Sequence, residues 1–371
     1  MKRILLVTNE LSEQSGWGRL SLDFSLSLAE AEVEVVVLCH KINPAFSQIK
    51  QIGGLADPLS YRRNYFLFWW PAVKTWFFLK KYQPELVHGL VETYTPTAWL
   101  LSKLYRCPLA LTIHGSFGIK PLAYFFFGLT QKWIYRQADK IICISQYTKR
   151  RLEEAVGLLS QIVVIPNGIN LSKWTVAESR NYIKTPPVLL GVGALKNRKG
   201  FHLVIEALPQ LVKKFPGLEY WIVGDQSDKG YVRRLNQLIT KFNLVKNIKF
   251  FERIADEKLN ELYQQASVFV LTPLSDYYNF EGFGLVYLEA NIAGLPVVGS
   301  YDNGGEEAIL DGRTGFLSKA NDPADIARCV EEALKDPILY ARMSRESIAW
   351  AKNHDWQVII KDYLDVYQKL L

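Results

Sequence analysis

Residues 268–289 read Val268-Phe269-Val270-Leu271-Thr272-Pro273-Leu274-Ser275-Asp276-Tyr277-Tyr278-Asn279-Phe280-Glu281-Gly282-Phe283-Gly284-Leu285-Val286-Tyr287-Leu288-Glu289. The first four are apolar and rich in β-branched residues, which is the signature of a strand buried on both faces. A loop with two glycines follows, and from Leu285 to Ile292 the spacing is helical. Strand, loop and helix in that order form half of a βαβ unit. In open α/β sheets ligands bind beyond the carboxyl ends of the strands, where such loops enter helix N-termini. Gly282 and Gly284 let backbone N–H groups approach an anion, and the positive end of the helix faces it.

The same rhythm extends in both directions. Further strands are expected near 188–193, 219–223, 247–251, 296–299 and 315–317 in the second half, and near 3–8, 33–38, 86–89, 109–113, 140–144 and 162–165 in the first. Helical patterns in the first half fall at about 18–30, 71–82, 96–105, 122–137 and 146–155, with Ser145 as the N-cap of the last. The rhythm breaks at Pro166-Asn167-Gly168 and in the aperiodic stretch 172–185 before Pro186-Pro187, where a domain boundary belongs. The expected fold class is α/β, with two Rossmann-like domains facing across a cleft. The expected divisions are 1–170, 171–350, and a C-terminal segment 351–371 returning towards the first domain.

At roughly 150 residues per domain, a chain of 371 predicts about two domains. With 49% apolar and 22% charged residues it is neither disordered nor fibrous. Four cysteines lie far apart without C-x-x-C spacing and read as reduced thiols of a cytosolic protein, not as zinc ligands. The apolar start Ile4–Val7 is too short for a signal peptide. The aromatic run 66–79 is broken by Pro71 and Lys74, well short of the ~20 apolar residues that span a bilayer. No D-x-D or His/Asp cluster points to a metal.

With those residues in view, a resemblance is plain. Glu281-Gly282-Phe283-Gly284 followed by Glu289 resembles the E-x7-E motif of the retaining GT-B glycosyltransferases of family 4. In family order stand Val192-Gly193-Ala194-Leu195-Lys196-Asn197-Arg198-Lys199-Gly200, Ile222-Val223-Gly224-Asp225, Leu262-Tyr263-Gln264-Gln265-Ala266, Gly294-Leu295-Pro296-Val297-Val298 and Asp311-Gly312-Arg313-Thr314-Gly315-Phe316. The resemblance covers about 188–320, with echoes at Pro166-Asn167-Gly168 and Ile113-His114-Gly115. It implies a nucleotide-sugar donor, UDP- or GDP-linked, no cofactor and no required metal.

The resemblance also implies roles. Glu281 would hold donor-sugar hydroxyls, and the backbone of Gly282, Phe283, Gly284 and Leu285, with Gly193, would bind sugar and diphosphate. Glu289 would accept both ribose hydroxyls, since a carboxylate has lone pairs for two donors. Lys199 matches the lysine of the family's R-x4-K and would stabilise the leaving diphosphate. The arginine of that motif falls at Ala194, so either the adjacent Arg198 reaches the phosphates or Lys199 acts alone. In the first domain, Asn9–Arg19, with Gly16 and Gly18, resembles the loop on the donor-phosphate side, and His114 matches the family's first-domain histidine. Read as a dinucleotide fingerprint, Gly16-x-Gly18-x-x-Ser21 lacks its third glycine, and Cys39-His40-Lys41 stands where an acid is needed for the ribose.

The net charge of +7 is not spread evenly. Residues 1–170 carry 19 basic and 12 acidic side chains, and the rest carries 25 of each. Residues 61–137 hold ten of the cations, two acids and 20 of the 48 aromatics. Arg62, Arg63, Trp69, Trp70, Lys74, Lys80 and Lys81 fall in this segment. Aromatics flanked by Lys/Arg suit the boundary of an anionic membrane and a lipid-linked or cell-envelope glycan acceptor. On that reading the protein is cytoplasmic and peripheral to the inner face. The competing reading is ordinary core, because Trp69, Val73, Trp76, Phe77 and Lys80 follow helical spacing. A soluble enzyme with a small-molecule or glucan acceptor, and a non-catalytic donor-binding protein, are the alternatives. Nothing in the motifs favours nucleic acid.

Overall fold

A computed structural model describes residues 3–58, 66–78, 80, 82–181 and 183–371, with side chains at all of these except 66–69, 78, 125 and 126. The chain divides into two compact units: residues 1–168 with 356–371, and residues 169–355.

Among the described residues the first unit holds seven strands, β1 (Arg3–Val7), β2 (Glu34–Cys39), β3 (Lys50–Gly53), β4 (Leu86–Gly89), β5 (Leu109–Ile113), β6 (Lys140–Cys143) and β7 (Ile162–Val164). They form one parallel sheet in the order β3-β2-β1-β4-β5-β6-β7. Its helices are α1 (Gly16–Glu30), α2 (Phe66–Phe78), α3 (Thr95–Tyr105), α4 (Ser116–Ile119), α5 (Phe125–Gln137) and α6 (Gln146–Val156). Six strands coincide with the apolar runs. β3 escapes the sequence pattern because it is a strand of mixed character at the sheet edge, paired to β2 alone among the described residues. Ser145 caps α6 as expected, its Oγ accepting the Thr148 N–H at 3.0 Å.

The second unit repeats the architecture with β8 (Val188–Val192), β9 (Glu219–Val223), β10 (Ile248–Phe251), β11 (Val268–Val270), β12 (Val297–Ser300) and β13 (Gly315–Ser318), all parallel, in the order β10-β9-β8-β11-β12-β13. Its helices are α7 (Phe201–Lys214), α8 (Lys229–Lys241), α9 (Asp256–Gln265), α10 (Leu285–Ile292), α11 (Pro323–Leu334) and α12 (Pro337–Lys352). In each sheet the strand order reverses once, between β1 and β4 and between β8 and β11. The loops after those strands therefore diverge and leave a crevice at the carboxyl edge.

The last helix, α13 (Trp356–Leu370), belongs to the first unit and packs on α1. Phe24 of α1 meets the rings of Trp356 and Tyr363 edge-on at 5.5 and 4.8 Å. His88 of β4 bonds Tyr367 through Nδ1 at 2.6 Å and Thr112 through Nε2 at 2.8 Å. Burial pushes its imidazole down to about 3, so His88 is a neutral core residue. The four cysteines are free thiols, three of them buried. Among the described residues no helix is long and apolar enough to cross a membrane.

Candidate active site

The switch point of the second sheet is flanked by the loop 193–200 after β8 and the loop 271–284 after β11. Gly193 opens the first loop at φ +152°, with its N–H bonded to Val223 O at 2.9 Å. The loop closes at Gly200, φ +74°, where a Cβ would lie 1.9 Å from Thr272 O. Only glycine fits this contact, which clamps the Lys199 turn against the second loop. Arg198 O accepts the Leu274 N–H at 2.8 Å and fixes the same join.

Across that join, Lys199 Nζ donates to Glu281 Oε2 at 2.6 Å and Arg198 Nη1 donates to the same oxygen at 3.0 Å. Lys199 and Glu281 are largely buried, while the Arg198 side chain is 38% exposed. Burial alone would raise the Glu281 pKa. The Lys199 ammonium and Arg198 guanidinium outweigh it and hold the carboxyl below its ordinary value, so it is ionised. One bond each leaves both cations further N–H groups to offer an anion.

Glu281 is held by its backbone as well, its carbonyl accepting the Gly304 N–H at 2.8 Å. A Cβ on Gly304 would lie 2.1 Å from Gly282 O, so the segment after β12 can press this close only as glycine. Buried Asn303 shapes that segment, donating to Ser300 O and accepting the Gly305 N–H at 2.8 Å. The sequence reading did not pick out Asn303-Gly304-Gly305; the Gly-Gly pair after a β-branched strand was the available signal. Gly284, at φ +84°, is the N-cap of α10, and no side chain among the described residues caps that helix start. Gly282 and Phe283 are buried, and the Phe283 ring lies 5.8 Å from that of His354. Leu285 begins α10, and Glu289 follows one turn on, its Oε2 accepting the Tyr263 hydroxyl at 2.9 Å.

In the first unit Gly16 opens α1 after the N-cap Ser15, and Gly18 is buried where a Cβ would lie 2.7 Å from Ser12 and Ser15. His114 follows β5. Its Nε2 lies 2.8 Å from Leu90 O, which makes Nε2 the donor and leaves Nδ1 as an acceptor with no partner among the described residues. Burial pushes the ring down to about 4 and keeps it neutral. Beside it stands Glu92, after β4 at the switch point of this sheet, which sequence reading passed over. It is 2% exposed, its Oε1 accepts the His114 N–H at 2.6 Å, and Oε2 has no partner among the described residues. Burial pushes Glu92 up to about 7, against the pull of backbone N–H groups including those of His114 and Gly115.

Arg62, Arg63 and Lys81 lie outside the described residues, as does the side chain of Trp69. Trp70, Lys74 and Lys80 are exposed. The ordinary-core reading fails at Val73, 45% exposed, and Phe77, 71% exposed; Trp76 is half-buried, Lys80 lies in solvent as that reading has it, and α2 turns Pro71, Ala72 and Thr75 inward. No group of three His, Cys, Asp or Glu able to hold a metal ion occurs among the described residues.

Two open parallel-sheet units in one chain, each with a crevice at its switch point, match the GT-B architecture. The family model "Glycosyl transferases group 1" matches residues 172–350, and "Glycosyltransferase Family 4" matches residues 15–173. Glycogen synthase of Mycobacterium tuberculosis is 28% identical over 398 residues, covering 98% of this chain and 94% of that protein. The GDP-mannose-dependent alpha-(1-6)-phosphatidylinositol monomannoside mannosyltransferase of Mycolicibacterium smegmatis is 29% identical over 60% of each chain. The solved structure of sucrose-phosphate synthase from Thermosynechococcus elongatus superposes with a TM-score of 0.82 at 22% identity, over 100% of this chain and 99% of that one. The chain belongs to the GT-B glycosyltransferases of family 4 and is a glycosyltransferase.

Proposed function

We propose that the protein transfers a sugar from a nucleoside-diphosphate sugar, UDP- or GDP-linked, to an acceptor hydroxyl with retention of the anomeric configuration, without a metal. The observation that carries this reading is the Glu281 carboxylate with Lys199 and Arg198 on one oxygen, at the foot of an uncapped helix whose Glu289 stands eight residues on. Glu281 takes donor-sugar hydroxyls and Glu289 the ribose. The α10 amide groups and the spare N–H groups of Lys199 and Arg198 take the diphosphate, and His114 Nδ1 accepts a sugar or acceptor hydroxyl. The acceptor oxygen bonds to the anomeric carbon as the bond to the phosphate oxygen breaks, and the departing phosphate receives the acceptor's proton. Charge gathers on the diphosphate in that step, where fixed cations and helix amides stabilise it most.

The acceptor we favour is lipid-linked and met at an anionic membrane on the cytoplasmic side. Support comes from α2, which presents Trp70, Val73 and Phe77 to solvent beside Lys74 and Lys80, and from Leu129 and Trp133 exposed on α5. Trp133 contacts Trp99 of α3 edge-on at 4.9 Å. Exposed aromatic side chains beside lysines suit the headgroup boundary of such a membrane. A glucan acceptor is the second reading, favoured by likeness to a glycogen synthase along nearly the whole chain.

Nucleotide release over a panel of UDP- and GDP-sugars tests the donor assignment, with Glu281→Ala as control. Release from one donor and its loss in the variant are expected; no release, or an unaffected variant, contradicts the reading. Full turnover in excess EDTA is expected. Co-sedimentation with anionic liposomes, lost at high salt, tests the membrane assignment, and absence of binding at low salt overturns it.

A further inference from the structure

The ribose carboxylate assigned above is held by Tyr263, whose motif was given no role at that carboxylate. Tyr263, on α9, is fully buried, and its hydroxyl donates to Glu289 Oε2 at 2.9 Å. Trp174 meets its ring edge-on at 5.5 Å, and Phe269 of β11 lies against it at 6.1 Å. The ring is therefore packed from both the linker and the sheet, and its hydroxyl has a fixed address.

The helix that carries it is fixed to the helix that carries Glu289. Arg180 donates Nη2 to Tyr263 O at 2.9 Å, Nη1 to Ala266 O, and Nε to Ala293 O at 3.0 Å. Its own N–H donates to Ser344 Oγ at 2.9 Å. One guanidinium thus ties the carboxyl end of α9 to that of α10, where a cation also meets the negative ends of both helix dipoles. This brace joins the helix that carries the phenol to the helix that carries the carboxylate.

We infer that Tyr263 is a positioning residue for nucleotide binding: it orients the Glu289 carboxylate towards the two ribose hydroxyls, and Arg180 holds the two helices at the spacing this needs. The inference rests on the ribose role given to Glu289 above. A glutamate has three side-chain torsions, and one left to rotate must be ordered when the nucleotide arrives. A phenol on one oxygen removes part of that cost beforehand, and a carboxylate has lone pairs for several donors at once, ribose hydroxyls among them.

The test is calorimetric titration with UDP, GDP and their 2′,3′-dideoxy forms, on wild type, Tyr263→Phe, Arg180→Lys and Glu289→Ala. For whichever diphosphate binds the wild type, Tyr263→Phe is expected to weaken binding about tenfold while leaving the dideoxy form unchanged, because the phenol acts only through the ribose. Arg180→Lys keeps a cation but not the span of three carbonyls, and is expected to show the same selective loss, smaller in size. At saturating donor, kcat is expected to stay near wild type. Equal weakening of both ligand forms in both variants would make the residues merely structural and overturn the inference. So would wild-type affinity in Tyr263→Phe alongside weakened binding in Glu289→Ala. Wild-type affinity in Glu289→Ala overturns the ribose assignment itself, a distinct failure.

Discussion

A single oxygen of Glu281 carries both cations expected at the diphosphate. Sequence reading left open whether Arg198 stands in for the arginine replaced at Ala194, because the question turns on a contact across 83 residues. Lys199→Ala is expected to lower kcat by about 10²–10³-fold. Arg198→Ala, at the more exposed partner, should cost roughly tenfold, and near-full turnover would remove Arg198 from the phosphate site. The double variant leaves a buried carboxylate with neither cation. A loss of about 3–5 kcal/mol is expected on breaking such a buried pair, visible as a lowered Tm. Glu92 was illegible for a different reason, since a lone acid in Val91-Glu92-Thr93 looks like any surface residue until the fold buries it. Its pKa rises from the ordinary 4.5 to about 7 through burial, with His114, Tyr135 and Cys143 as its titratable neighbours. The folded state then holds a proton that the unfolded chain has lost. Stability contributed by this group is complete below pH 4.5 and falls away as pH rises through 7. Glu92→Gln cannot ionise, so its Tm relative to wild type should climb between pH 5 and pH 8. Parallel Tm curves would show that Glu92 does not titrate there.

At the scale of the element, α2 shows what periodicity can and cannot tell. That a helix occupies this stretch was readable, although it begins at Phe66 and continues through Pro71. Which face it buries was not, because apolar residues occur on every side and leave no single stripe. Packing placed small Ala72 and Thr75 inward, where a helix can lie close, and left bulky Trp70 and Phe77 outside. Trp70→Ser with Phe77→Ser is therefore expected to abolish liposome co-sedimentation without lowering Tm, since neither ring fills the core. A lowered Tm with binding retained would return the face to structure and remove it from the membrane. β3 teaches a related lesson, as an edge strand needs one partner and no continuous apolar run.

For the whole molecule, the closing helix is the telling part. α13 supplies Trp356, Tyr363 and Tyr367 to the core of the first unit, far from that unit's other residues in sequence. Removing 356–371 uncovers Phe24 and deprives buried His88 of a hydrogen bond, a loss of about 1–3 kcal/mol for the bond alone. Limited proteolysis of the 1–355 chain is expected to cut within 1–168 and spare 169–355; equal resistance in both would contradict this. The alternation of strands and helices, the place of α10 and the ordered donor motifs were legible because each is local, written in spacings of two, three or four residues and in glycines at turns. By itself, then, the sequence determined the two-unit α/β plan and the family. Only the tertiary structure decided that Arg198 and Lys199 share Glu281, that Tyr263 holds Glu289, that Glu92 stands behind His114, and that α2 faces outward. Those are contacts between distant segments or choices of face, and they arise when the units pack and water is excluded, a step that no local pattern encodes.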